Sequence, residues 1–200
     1  MNLNLIGGIN DVTETLNRAE MWKGWTELPQ PKEGNTGKYV KYQEFLYKTV
    51  KDLNPINILE IGFNAGHSAC CFLNAAPNAK MVTFDLCRWD TEKSAEKVLS
   101  AYFDITLIEG NSIETVPNYF KNNPEISFDF MFIDGGHMGQ TPYLDYKNTK
   151  NHINNNGIYV LDDMDGPSVF SGYKRHTWDN FELVKVPLIE KEIIVLKKKG

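Results

Sequence analysis

Some residues of this sequence have types and spacings that can do chemistry. Glu60, Gly62, Asn64, Gly66 and Ser68 lie in the stretch Ile58-Leu59-Glu60-Ile61-Gly62-Phe63-Asn64-Ala65-Gly66-His67-Ser68. Glycines at 62 and 66 let a backbone turn sharply and approach a ligand closely, and a helix starting there points free N–H groups at an anionic group. Asp85 closes the next apolar run, where a carboxylate can accept hydrogen bonds from both hydroxyls of a ribose. Farther on, Asp134 follows Phe130-Met131-Phe132-Ile133, and Asp162 and Asp163 follow Tyr159-Val160-Leu161. Carboxylates gathered at one edge repel one another unless a cation or a proton compensates them. Oxygen donors in that number suit a hard ion, Mg²⁺ or another divalent such as Mn²⁺ or Ca²⁺, rather than zinc. The bland alternative is that Asp162 and Asp163 cap a following helix, which leaves Asp134 unexplained. His137 lies just past Asp134, and an imidazole poised near neutral pH can take a proton from a reacting group.

Only strand ends can bring these residues together. Short apolar runs at Ile56–Ile61, Met81–Asp85, Ile105–Glu109, Phe128–Asp134 and Ile158–Asp162 alternate with helical patterns. That alternation predicts parallel strands joined by right-handed crossovers, a doubly wound α/β sheet that takes ligands at the carboxyl ends of its strands. Phe181–Val186 and Ile193–Lys197 are separated only by Pro187 to Glu192, too short for a crossover, and should pair antiparallel. Ahead of the first strand, Tyr39, Tyr42, Leu46, Val50 and Leu53 recur at helical spacing until Asn54-Pro55. Residues 1–38 read as an N-terminal helical and loop segment packed on a domain spanning 39–200. It would hold a short helix at Asp11–Glu20 and a loop from Gly24 to Gly37, with Trp22 and Trp25 gluing it down. Asn151–Asn156 reads as a helix end running into a turn at Gly157, and His152 beside it as solvated. His67 either touches a bound ligand or packs at a helix start. Cys70 and Cys71 read as small buried hydrophobes, and Asp145 as a solvent-facing helix residue.

Read as E-x-G-x-G-x-G, the glycine loop matches at Glu60, Gly62 and Gly66, with Asn64 in place of the middle glycine. It resembles the first motif of the class I S-adenosylmethionine-dependent methyltransferases. The resemblance covers about Tyr39 to Lys198 and implies a Rossmann-like seven-stranded sheet, order 3-2-1-4-5-7-6 with strand 7 antiparallel. It also implies that S-adenosylmethionine is held by Glu60, Gly62, Asn64, Gly66, Ser68, Asp85, Asn111, Ser112 and Asp134. Asn111 stands where the family's turn along the adenine carries Asp. The acidic set is similar to that of the metal-dependent O-methyltransferases of the catechol, caffeoyl-coenzyme A and macrolide-sugar kinds, which implies a divalent cation at Asp134, Asp162 and Asp163. The form Ile133-Asp134-Gly135-Gly136-His137 is closest to the branch that includes sugar O-methyltransferases. At the place of His137 the catechol enzymes carry a lysine base and the sugar branch a histidine, which implies a catalytic base here. Asp145 matches a recurrent acidic position of that branch.

Rival readings meet specific obstacles. A dinucleotide fingerprint G-x-G-x-x-G needs glycine at 62, 64 and 67, where the chain has Gly62, Asn64 and His67. A nucleic-acid methyltransferase calls for an Asn/Asp-Pro-Pro-Tyr or Pro-Cys pattern, and the chain offers Ile-Asp-Gly-Gly. A non-catalytic module that binds the cofactor without reaction stays open. With 21 Lys and Arg against 26 Asp and Glu, the net charge of −5 has the wrong sign for a phosphate backbone. At 42% hydrophobic and 24% charged, the 200 residues suit one globular fold. No apolar stretch exceeds Ala69 to Leu73, so neither a membrane span nor a secretory leader is expected. Three cysteines, two of them adjacent, suit a reducing, cytoplasmic setting. The expected partner is a small-molecule or sugar acceptor, without nucleic acid or membrane and with a homodimer as a candidate assembly. Its pocket would come from the N-terminal segment and the loop Gly166 to Trp178, including Arg175 and His176.

Overall fold

The computed structural model describes residues 18, 22–32, 36–164, 178, 180–187, 189 and 191–200. The expected helix at Asp11–Glu20, apart from Arg18, and the loop from Gly166 as far as residue 177, with Arg175 and His176, lie outside these residues.

The strands are β1 (Asn57–Ile61), β2 (Lys80–Asp85), β3 (Asp104–Glu109), β4 (Phe128–Ile133), β5 (Ile153–Leu161), β6 (Phe181–Leu183) and β7 (Ile194–Lys198). They form one seven-stranded sheet in the order β3-β2-β1-β4-β5-β7-β6. β1 through β5 are parallel, and β7 runs antiparallel between β5 and β6, with Tyr159 opposite Leu196 and Val160 opposite Val195. The order, and the reversed last strand, are those that the resemblance implies.

Side chains alternate across the pleat, so each central strand feeds two apolar layers. Ile58, Phe130, Phe132, Ile158 and Val160 join the layer under α1 (Val40–Leu53), α2 (His67–Ala75) and α3 (Asp90–Ser100). Leu59, Ile61, Met131, Tyr159 and Leu161 join the layer under α4 (Ser112–Asn122) and α5 (Thr141–Thr149). Phe72 of α2 meets Phe130 and Phe132 edge-on at 5.0 and 5.2 Å, and burying each such ring contributes about 1.5–3 kcal/mol. α1 buries Tyr42, Phe45, Leu46, Thr49 and Val50 and stops where Asn54 turns left-handed (φ 48°) ahead of Pro55. Trp22 stacks on Tyr47 of α1 at 5.4 Å and meets Trp25 edge-on, so these tryptophans tie residues 22–25 to the first layer.

The Asn-rich patch corrects the expectation of a helix end. β5 already begins at Ile153, which pairs with Phe128, and the register shifts before Ile158 pairs with Phe130. The irregularity holds because Asn156 tolerates φ 64° and Asn154 donates to Asp129 Oδ1 at 2.8 Å. A Cβ at Gly157 would lie 2.9 Å from the Asp129 carbonyl oxygen, so a strand crossing so close requires glycine. His152 is not simply solvated: its ring stacks on Phe120 at 3.5 Å.

Candidate active site

β1 and β4 end side by side, and their last backbone atoms nearly touch. Gly62 has φ 96°, and a Cβ there would lie 2.0 Å from the Asp134 carbonyl oxygen. Glycine is therefore obligatory at the start of the loop. Asp85, at the end of β2, holds that loop from the other side. Its Oδ2 accepts the N–H groups of Phe63 at 2.8 Å and Asn64 at 3.0 Å, while Oδ1 accepts that of Cys87 at 2.9 Å. A carboxylate offers about four lone-pair positions, so with three taken capacity remains for one ribose hydroxyl.

Glu60 lies beneath the loop rather than on its surface. It is wholly buried, and Ser68 Oγ donates to its Oε1 at 2.5 Å and Thr83 Oγ1 to its Oε2 at 2.8 Å. Burial pushes its pKa up to about 8, with the two hydroxyls opposing the rise. Asn111 caps α4, its Oδ1 accepting the N–H of Ile113 at 3.2 Å, so its side chain serves the helix start.

The acidic residues come from β4 and β5, whose ends are adjacent in register, Ile133 opposite Leu161. Asp134 donates its N–H to Ile61, Asp162 donates its own to Ile133, and Asp163 turns left-handed at φ 52°. The His137 Nε2 sits 3.4 Å from Asp134 Oδ1 and 3.0 Å from Asp163 Oδ2. Hydrogen bonds to Asp134 and Asp163 push the imidazole pKa up to about 10 against the effect of burial. The His137 bond, assisted by Lys191, brings Asp163 down to about 2. Burial, and next the charge of Asp134, push Asp162 up to about 8. Burial also raises Asp134.

Donor atoms of Asp134, His137 and Asp163 lie within 4.8 Å of one another, close enough to share one ion. Asp162 is beside this trio, with Oδ1 accepting the Asp163 N–H at 2.8 Å and facing Lys191 Nζ at 3.6 Å. The oxygen and nitrogen donors suit a hard divalent cation.

One cavity of about 770 Å³ connects the two halves. Gly62, Asn64, Ser68, Asp85, Asn111, Ser112, Asp134, His137, Asp162 and Asp163 all line it, whereas Glu60 and Gly66 stand behind its wall. His67 opens α2 on the same wall, edge-on to Trp25 at 5.1 Å, with burial holding its pKa down to about 4.

A sequence profile described as Methyltransferase domain matches residues 59–164, more than half the chain. The chain belongs to the methyltransferase-domain family. This methyltransferase also shares its fold with solved enzymes. One is CalS11, a TDP-rhamnose 3′-O-methyltransferase of calicheamicin biosynthesis, at 20% identity over 78% of this chain and 76% of that one, TM-score 0.62. Another is the O-methyltransferase TomG of Streptomyces achromogenes with S-adenosylmethionine bound, at 16% identity over 94% and 91%, TM-score 0.67. A third is a Bacillus cereus O-methyltransferase carrying S-adenosylhomocysteine, at 16% identity over 86% of each chain, TM-score 0.65. No curated protein matches the sequence. Among the described residues of the methyltransferase, no helix is long and apolar enough to cross a membrane.

Some residues of the site escaped the sequence. Asp145 is wholly buried instead of solvent-facing, because α5 packs that side against the loop after β4: its Oδ2 lies 3.1 Å from where a Gly135 Cβ would be. Burial pushes its carboxyl up to about 7, with Ser112 opposing. Tyr42, read as a core position, is buried with its hydroxyl pushed up by burial and by the charges of Asp162 and Asp134. Lys191, in the connection between β6 and β7, carries no motif at all. Its only signal was a lysine in a segment too short for a crossover.

Proposed function

We propose that this protein transfers the methyl group of S-adenosylmethionine to a hydroxyl oxygen of a small molecule or sugar, with His137 as base and a divalent cation assisting. One observation carries the reading. The glycine loop braced by Asp85 and the cluster of His137 with three aspartates open into a single cavity, joined where Asp134 abuts Gly62. Phe63 and Asn64 hold the loop's shape through Asp85, leaving that carboxylate to receive the ribose, with Asn111 and Ser112 beside the adenine. Glu60 acts on the cofactor indirectly, by fixing Ser68 and the strand beneath the loop, and Gly66 through the turn into α2.

Methyl transfer is an in-line displacement at a sulfonium carbon, so the attacking hydroxyl must shed its proton as the C–O bond forms. His137 takes that proton once its imidazole is neutral. Facing Asp134 and Asp163 alone, it is held protonated. Asp134, Asp162 and Asp163 are the residues that would hold Mg²⁺, Mn²⁺ or Ca²⁺, with His137 Nε2 within reach of the same point. A bound divalent cation would engage the carboxylates that keep His137 charged and lower the acceptor hydroxyl's pKa.

The fold shared with a sugar O-methyltransferase and with TomG supports a small-molecule acceptor. The charge balance favours a protein acting without nucleic acid, and the three cysteines a reducing cytoplasm; a homodimer is a candidate assembly, and residues 1–38 would dock on the 39–200 domain and help form the acceptor pocket. Calorimetric titration with S-adenosylmethionine and S-adenosylhomocysteine, with and without Mg²⁺, tests the cofactor half. Binding of both is expected, and no heat with either sinks the proposal. Replacing His137 by alanine should leave cofactor affinity intact and slow turnover by about 10²–10⁴-fold. Unchanged turnover removes it as base.

A further inference from the structure

Both oxygens of the Asp163 carboxylate face a cation that the chain itself supplies. Oδ2 faces His137 Nε2 at 3.0 Å, and Oδ1 is hydrogen-bonded by Lys191 Nζ. The same ammonium lies 3.6 Å from Asp162 Oδ1 and 5.6 Å from the centre of the Tyr39 ring. Its side chain is only 17% exposed and lines the cavity, so this is a seated charge and not a solvated lysine passing by.

We infer that the Lys191 ammonium is the resident cation of the acidic cluster, and that a divalent ion binding at Asp162 and Asp163 competes with it. The inference rests on the divalent-cation reading above. An ammonium and a doubly charged ion held against the same carboxylates repel each other, and at a few ångströms in a half-buried site that repulsion is far from screened. Lys191 lends the cluster its compensating charge when no ion is present, keeping Asp162 and Asp163 in place. In exchange it lowers the site's affinity for the ion. A displaced Nζ has room, since Lys191 already borders the cavity that receives the acceptor.

The test is direct titration of the purified protein with Mn²⁺ by calorimetry, comparing wild type, Lys191→Met, Lys191→Gln and Lys191→Arg. Both neutral variants should bind Mn²⁺ about tenfold more tightly or better, and the arginine variant, which keeps the charge, should stay near wild type. Gln repeats the comparison independently of how Met packs on Tyr39. Equal, measurable affinity in wild type and the neutral variants overturns the inference and leaves the cation reading standing. A tightening that Arg shares with Met also overturns it, since packing and not charge would then be responsible. Absence of Mn²⁺ binding in all four overturns both.

Discussion

The imidazole of His137 lies between two strand ends, its Nε2 3.0 Å from Asp163 Oδ2 and 3.4 Å from Asp134 Oδ1. The pair makes the site's own charge balance a source of stability with a definite pH window. A histidine whose pKa rises from 6.5 to about 10 on folding contributes stability that is fully present below about pH 6.5 and lost as pH rises through about 10. Asp163, brought from 3.8 down to about 2, contributes above about pH 4 and loses its part as pH falls through about 2. Urea unfolding of wild type and His137→Ala should therefore show a gap at about pH 6 that narrows toward about pH 10. Since about half of the His137 side chain is exposed, the gap should also shrink in high salt. A gap independent of pH contradicts the pairing.

Glu60 gives a dependence of the same sign as that of His137 and opposite to that of Asp163, at lower pH. Its pKa is raised from 4.5 to about 8 by burial, so the native state binds the proton more tightly than the unfolded chain does, and stability falls as pH rises from about 4.5 to about 8. Glu60→Gln removes the buried charge and keeps an oxygen to accept from Ser68, while the Thr83 hydroxyl can turn to accept from the new amide. The variant should match wild type within about 1 kcal/mol near pH 6 and exceed it above about pH 8. Thermal melts across that range decide, and a variant less stable than wild type at alkaline pH refutes the burial argument.

Gly62→Ala should be among the most damaging single-methyl changes available. Its Cβ would sit 2.0 Å from the Asp134 carbonyl oxygen, and the clash is with backbone that cannot swing aside. Stability should drop by about 3 kcal/mol or more, with loss of cofactor binding in whatever remains folded. Gly139→Ala is the control: it also has positive φ, 62°, but nothing lies within 4 Å of the added methyl. A cost of about 1 kcal/mol is expected there. Equal losses in the two variants would mean that backbone strain alone, and not the approach of β1 to β4, is being measured.

The contrast between Gly62 and Lys191 shows what the sequence could and could not disclose. Gly62, Asp85, Asp134 and Asp162 were legible because each sits at or just past the end of a parallel strand, a place that the alternation of apolar runs marks unambiguously and that topology carries to one edge. The sheet order was legible for the same reason, together with the short connection from β6 to β7. Lys191 and Tyr42 were not, since both reach the cluster from elements far away in the chain, through side-chain direction and not through a local pattern. Asp145 between Tyr143 and Tyr146 gave no usable helical face, so its burial depended on how α5 settles against Gly135. The start of β5 was hidden by Asn154, Asn155 and Asn156, residues that read as a helix end running into a turn and become an irregular strand once Phe128 and Asp129 supply partners.

Asp85 offers the sharpest test of the cofactor half, because amide and acid differ there in a predictable way. Its two oxygens accept three backbone N–H groups, from Phe63, Asn64 and Cys87. Asparagine can present only one oxygen, so its NH₂ group must face at least one N–H donor, and the swap that is usually mild becomes repulsive. Hydrogen bonds to a charged acceptor contribute about 1.5–3 kcal/mol each, which corresponds to roughly 10–150-fold in an equilibrium constant. Asp85→Asn should therefore weaken S-adenosylhomocysteine binding by at least about tenfold, nearly as much as Asp85→Ala, by loosening the loop as well as losing the ribose contact. Titration calorimetry measures the affinity, and amide hydrogen exchange at Phe63 and Asn64 reports the loop. An asparagine variant with wild-type affinity and undisturbed exchange would show that Asp85 neither braces the loop nor meets the ribose, and the cofactor would have to be sought elsewhere in the cavity.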